Sequence, residues 1–242
     1  MNGKVKPMNT QIDHLVIVAA SLEAGVQWCE ETLGITPGLG GEHEKYGTHN
    51  RLFKIATPHF PMAYLEIIAI NPNAVRPKKL QATRFFDMDD KALQSAVAKQ
   101  PRLVHFVAST PDLKAARMAL RMQGIDRGPA VFMNRRTSKG VLNWQISVRA
   151  DGQRLFNGTL PTLIQWGKPE ATEPLRLHPR NTLARSGVTL QSLEVTHPSA
   201  DKLQAAYAAI DLKGVTVAEG TPNLVATLQT PKGLVRLESL GV

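Results

Sequence analysis

The stretch Gln11-Ile12-Asp13-His14-Leu15-Val16-Ile17-Val18 is a run of β-branched and aliphatic residues with a histidine at its middle. Such a run reads as a buried strand. The pattern returns at Leu103-Val104-His105-Phe106-Val107, and again without the histidine at residues 190–195. An imidazole in a short apolar strand has to be used or satisfied, because burying an unpartnered polar group is costly. Its recurrence predicts an internal repeat whose paired histidines face one cleft.

Outward from that strand, Ser21 reads as an N-cap and Leu22 to Leu33 carries apolar residues at helical spacing, with Gly34 as the C′ glycine. Residues 37–41, Pro-Gly-Leu-Gly-Gly, read as a loop, and strands are expected around 49–55 and 63–70. The unit is therefore β-α-β-β-β over residues 11–71. Residues 72–101 break the rhythm with prolines, lysines and the pair Phe85-Phe86, as a linker, a lid over the cleft or a dimer contact would. A second unit spans 102–167, with Asp112 capping a helix over 113–122 and Ser138-Lys139-Gly140 as a turn. A charged connector follows at 168–187, then a third, degenerate unit at 188–242. Residues 1–10 read as a flexible N-terminus.

The copies register on their caps: seven residues separate His14 from Ser21, His105 from Asp112, and Ser192 from Ser199. Their last strands align as Tyr64-Leu65-Glu66, Leu163-Ile164-Gln165 and Arg236-Leu237-Glu238. Strand alternation places His14 on the side of Ile12 and Val16, and Glu66 on the side of Tyr64 and Ile68. Two polar positions from each of the first two units would then converge. Glu238 has no histidine partner, so the third unit reads as structural.

Composition narrows the classes. The formal net charge is +9 over 242 residues. The basic residues are scattered, with small knots at Lys78-Lys79 and Arg135-Arg136 and few aromatics between them, so nucleic acid is not expected as a partner. The excess suits attraction of an anionic small molecule. The single cysteine, Cys29, excludes an internal disulfide and reads as a buried, inert thiol in a reducing compartment. The N-terminal residues lack an apolar signal core, and no apolar run approaches membrane-spanning length. The expectation is a cytoplasmic protein with no membrane partner.

At these residues the chain resembles the vicinal oxygen chelate superfamily and, within it, the glyoxalase-like domain proteins. The matching pieces are Ile-Asp-His-Leu-Val-Ile at 12–17, Gly-Thr-His-Asn-Arg at 47–51, Tyr-Leu-Glu-Ile-Ile at 64–68, the strand around His105, Asn143-Trp144, and Leu-Ile-Gln-Trp-Gly at 163–167. The resemblance implies an α+β fold in which repeated βαβββ modules form cupped sheets with helices outside. It also implies a divalent metal in the cup (Zn, Mn, Fe or Ni), with ligands from the first and last strands: His14, Glu66, His105 and Gln165. Gln165 stands where the family commonly has a glutamate, which leaves a softer site or three ligands. Two histidines and a carboxylate would also match the facial set that holds ferrous iron. The implied chemistry is a metal-dependent lyase, isomerase or dioxygenase acting on a small oxygen-bearing substrate. The alternative is a metal-free cup that sequesters a small molecule.

Each candidate has a plainer reading beside it. His14 and His105 could be satisfied core histidines, and Glu66 a ligand, a proton-transferring carboxylate or the ion-pair partner of Arg51. Gln165 is the weakest of the ligand set. His49 reads as an acid–base or substrate-orienting group, or as a turn residue. Arg51, Arg135 and Arg136 could fork onto an anionic substrate or be solvated charges. Trp144 and Trp166 could wall the pocket or pack the core. His43, His59, His178 and His197 lie in loop-like contexts that need no function.

Overall fold

The computed structural model describes residues 8–75, 83–168 and 171–242; Lys78 and Lys79 and most of the predicted N-terminal segment lie outside these. Three β-α-β-β-β runs follow one another. The first is β1 (Gln11–Val18), α1 (Leu22–Leu33), β2 (Gly38–His43), β3 (Thr48–Lys54) and β4 (Tyr64–Ile70). After α2 (Lys91–Lys99) come β5 (Arg102–Ser109), α3 (Leu113–Met122), β6 (Ala130–Thr137), β7 (Gly140–Ser147) and β8 (Thr162–Trp166). A short α4 (Pro179–Thr182) precedes β9 (Thr189–Thr196), α5 (Ala200–Ala209), β10 (Thr216–Ala218), β11 (Asn223–Thr230) and β12 (Gly233–Glu238).

Local chemistry sets the helix ends. The Ser21 hydroxyl accepts from Ala24 N at 3.1 Å, the Asp112 carboxylate accepts from Ala115 N at 2.9 Å, and Gly34 closes α1 in the left-handed region at φ 75°. The Pro-Gly-Leu-Gly-Gly segment departs from the expected loop: it enters edge strand β2 by pairing with β3, and its glycines are needed there because Asn50 and Arg135 come close to the backbone where a side chain would stand.

The first two units share one eight-stranded sheet, ordered β2-β3-β4-β1-β5-β8-β7-β6, joined by the antiparallel pair β1–β5. Its convex face carries α1, α3 and the core of the third unit around Leu15, Ile17, Leu65, Phe106 and Leu163. Its concave face carries Val16, Val107, Trp144 and Trp166, and is packed by Phe85, Phe86 and α2 from the insertion. Cys29 is buried on the convex side, where burial pushes its thiol up to about 12, as expected of an inert thiol.

Each unit's first strand has one extra residue immediately before the marked position. Pairing jumps across Asp13 in β1, across Val104 in β5 and across Gln191 in β9. Such a bulge sets two consecutive side chains on one face. It corrects the simple alternation: Ile12 joins the convex core, while Asp13 and His14 both address the cup.

The third unit repeats the order of elements but not the pairing. In the first, β1 pairs with β4, the last strand; in the third, β9 pairs with β10 and β11, and β12 touches only β11 within its four-stranded sheet. Thr216, paired with Glu194, thus stands where Glu66 stands against Val16, and Glu238 is an edge residue bonded to Arg236 and Asn223.

Candidate functional site

The cup of the first unit encloses a cavity of about 60 Å³ lined by His14, His43, Asn50, Tyr64, Glu66 and Arg135, with Phe85, Leu142, Trp144 and Trp166 as apolar walls. Its polar floor is built by the β1 bulge. Asp13 is wholly buried, and its Oδ1 accepts from His14 Nδ1 at 2.7 Å. Its Oδ2 accepts from Trp166 Nε1 at 2.8 Å and from His178 Nε2 at 3.1 Å. His178 Nδ1 in turn accepts the Arg180 backbone N–H at 3.0 Å, so a neutral ring with its proton on Nε2 satisfies both bonds. Burial would raise the Asp13 carboxyl, but the His178 and His14 rings outweigh it and hold the group well below the usual carboxylate range.

With Asp13 taking the Nδ1 proton, His14 turns Nε2 into the cavity, stacked on Tyr64 at 4.6 Å between ring centroids. Nε2 faces Glu66 Oε2 at 3.6 Å, while Glu66 Oε1 accepts from Asn50 Nδ2 at 2.5 Å. Two acceptors facing one another at that distance are stable with a proton on one of them or a cation between them. Burial lowers the His43 pKa; Glu66 opposes this, and Arg135 and His14 reinforce it. Burial raises the Tyr64 hydroxyl well above its ordinary value, helped by Asp13 and Glu66, so the phenol stays protonated.

The second histidine does not join them. His105 is fully buried, its Nδ1 donating to Gly158 O at 2.8 Å and its Nε2 accepting from Thr162 N at 3.1 Å with Thr162 Oγ1 at 3.0 Å. Burial and the Arg127 guanidinium push its pKa well below the usual histidine value, and Phe86 covers the ring at 5.2 Å. Neither nitrogen is left for a metal.

Gln165 is also excluded, by register. Val16 pairs with Glu66, and Val107, two residues beyond His105 as Val16 is beyond His14, pairs with Thr162. Thr162 is therefore the counterpart of Glu66. The predicted alignment was off by three residues, and an odd slip moves a side chain to the opposite face. Gln165 accordingly points to the convex side, where its Oε1 accepts the Leu113 N–H at 2.8 Å at the start of α3.

The same parity separates β3 residues. Asn50 and Leu52 line the cavity, whereas His49 and Arg51 alternate with them on the outer face, where the charge of Glu23 on α1 reaches both. Arg51 is thus neither a cavity residue nor the partner of Glu66, and His49 has no place in proton transfer there. Trp144 and Trp166 both wall the cavity, 5.8 Å apart. Arg136 is exposed and reaches only an outer vestibule; its neighbour Arg135 is the one inside.

The expected metal set thus reduces to His14 and Glu66. Among the described residues no group of three or more His, Cys, Asp or Glu side chains is arranged to hold a metal ion. The residues present do not fit the four-position set. Sequence reasoning missed Asp13, Asn50 and His178; an aspartate in an apolar strand beside a histidine was a signal for the first, while the other two carried none.

A family profile described as Glyoxalase-like domain matches residues 12–210. Among solved structures, a hypothetical protein from Staphylococcus aureus is similar at 17% identity and TM-score 0.58, over 96% of this chain and 86% of that one. A methylmalonyl-CoA epimerase from Streptomyces coelicolor is similar at 19% identity and TM-score 0.38, over 64% of this chain and 96% of its own. The corresponding epimerase from Mycobacterium tuberculosis stands at 16% identity and TM-score 0.34, over 68% and 91%. No curated protein matches. Among the described residues no helix is long and apolar enough to cross a membrane.

Proposed function

The chain belongs to the glyoxalase-like domain family of the vicinal oxygen chelate superfamily, and from that premise we propose that it transfers a proton on a small oxygen-bearing substrate in the first unit's cup. The observation that carries this is the line Asp13–His14–Glu66: a buried carboxylate orients the imidazole, whose free nitrogen faces a second carboxylate in an apolar cavity. With the shared proton on His14, Nε2–H donates to a substrate carbonyl oxygen, and Asp13 stabilises the imidazolium from behind. Glu66 Oε2 takes a proton from the neighbouring carbon; the C–H electrons become the enolate double bond, and the oxygen's charge rests on His14. Asn50 keeps Oε1 occupied, so Oε2 is the reactive oxygen. Return of the proton gives an isomerase, and loss of a leaving group gives a lyase.

The dioxygenase branch of the resemblance fits less well, because the facial set read from the sequence needs His105, whose nitrogens are both engaged, and among the described residues no other three such side chains, His43 included, are arranged to hold a metal ion. Sequestration without chemistry would use the same walls but leaves the oriented imidazole–carboxylate pair without a role.

The test is solvent exchange. Pyruvate and dihydroxyacetone are incubated with the protein in D₂O, and loss of their C–H signals is followed by NMR, with metal content measured on the same batch. Wild type is expected to exchange the protons, and Glu66→Gln to slow exchange by about 10²–10⁴-fold with its fold intact. No exchange with either compound favours sequestration. A stoichiometric divalent ion that is lost in His14→Ala would put a cation where the proton is placed here.

A further inference from the structure

A cation that this proton transfer does not use stands on the far side of the cup. The eight-stranded sheet ends in β2 on one side and β6 on the other, and it curls until those edges approach. Arg135 of β6 crosses the gap and lies against the backbone of Gly41 in β2: a Cβ built on Gly41 would fall 2.3 Å from Arg135 Nη1 and 2.8 Å from its Cδ. A Cβ on Gly40 would fall 2.1 Å from Asn50 Oδ1, the residue that holds Glu66. The glycines of this edge strand are what let two polar side chains reach the cavity.

Arg135 is half-buried, lines the same cavity as His14 and Glu66, and borders an outer vestibule of about 590 Å³, with Leu52, Leu142 and Pro179 also common to both. Among the described residues no carboxylate lies within ion-pair distance of it. Arg136 and Lys139 in the vestibule are exposed, so solvent screens them. A half-buried guanidinium beside apolar walls, with no carboxylate of the described residues at ion-pair distance, is the group in this cup suited to a fixed anion.

We infer that Arg135 is the specificity-determining residue of the site and that the substrate is a short carboxylic acid bearing a carbonyl, an oxo acid. Its carboxylate meets Arg135, and its carbonyl and adjacent C–H lie toward His14 and Glu66. The orientation rests on the proton-transfer reading; the charge preference does not.

The experiment is calorimetric binding of pyruvate and of pyruvamide, its uncharged analogue, to the full-length protein. Wild type is expected to bind pyruvate about 10- to 100-fold more tightly. Arg135→Met loses that preference, and Arg135→Lys retains part of it. Gly41→Ala keeps the charge but displaces the guanidinium, and it also lowers the preference. Glu66→Gln keeps the preference while losing proton exchange, so failure of the chemistry and failure of anion recognition are distinguishable. Equal affinities in wild type, no binding of either compound, or an unchanged preference in a folded Arg135→Met protein overturns the inference.

Discussion

His14 and His105 occupy the same place in two copies of one unit, each just after the bulge of its first strand, and they do opposite things. Behind His14 the bulge residue is Asp13, and the His14 side chain faces Glu66; behind His105 the bulge residue is Val104, and the His105 side chain faces Thr162. The first ring is oriented by a carboxylate and keeps one nitrogen for a cavity. The second has both nitrogens engaged by Gly158 and Thr162 and is sealed under Phe86. Repetition of the backbone therefore preserved the location of the histidine without preserving its chemistry. Two neighbouring side chains decide between a reactive imidazole and a structural one.

That contrast can be broken from the first copy with the largest effect. Asp13→Ala leaves the Trp166 and His178 donors and the His14 Nδ1–H without their acceptor in a dry site, and should lower stability by about 3–5 kcal/mol, read from denaturant unfolding. Val104→Ala, at the same bulge in the second copy, should cost clearly less, because no polar network depends on it. Comparable losses in both variants would show that the bulge residue's charge is immaterial.

From the second copy, His105→Leu leaves Thr162 N–H and Gly158 C=O unpaired, about 1–3 kcal/mol for each group. It should leave proton exchange in the cup unchanged; a collapse of exchange in a folded His105→Leu protein would mean that His105 takes part in the site after all.

Acidification separates the copies by window. His105 is held below the ordinary histidine value of 6.5, so the unfolded chain takes up the proton first. Its contribution is whole above that value and is lost as pH falls below it toward the folded pKa; His43 and His197, also lowered by burial, act in the same direction. Asp13 is depressed below 3.8, so its contribution stays whole to that point and disappears only in stronger acid. Stability measured against pH should thus decline in two stages, and His105→Leu should flatten the first. A single decline confined below pH 4 would contradict the neutral, buried state of His105.

The smallest effect is expected at Gln165. Its carbonyl caps α3 through Leu113 N, so Gln165→Ala should cost about 0.5–2 kcal/mol, as loss of a helix cap does. It should change neither exchange nor metal content.

Much of the fold was legible along the chain. The helix over Leu113–Met122, the caps at Ser21 and Asp112 and the αL glycine at 34 are local features, settled by hydrogen bonds within a few residues, and the strand Thr162–Trp166 was marked by its own apolar, β-branched run. The repeat itself was legible too, as was the placing of His14, Glu66, Trp144 and Trp166 around one cleft. Residues whose role depends on the face they present were not. His49 and Arg51 lay one position from Asn50 in the quoted motif, and Gln165 lay three from Thr162. A register error by an odd number exchanges the faces of a sheet, and register is a property of pairing between distant strands.

The sequence alone thus determined most of the elements, their order and the three-fold recurrence of the apolar first strand, because these follow from spacing, propensity and capping within each segment. The bulge in that strand and edge strand β2 came only with pairing. Only the tertiary structure decided which polar side chains meet. Asp13 with His178, Thr162 with His105 and Arg135 with Gly41 are contacts between distant segments, created when the sheet curls and closes on itself. An imidazole's chemistry is set by the partners on its two nitrogens, and those come from elsewhere in the chain.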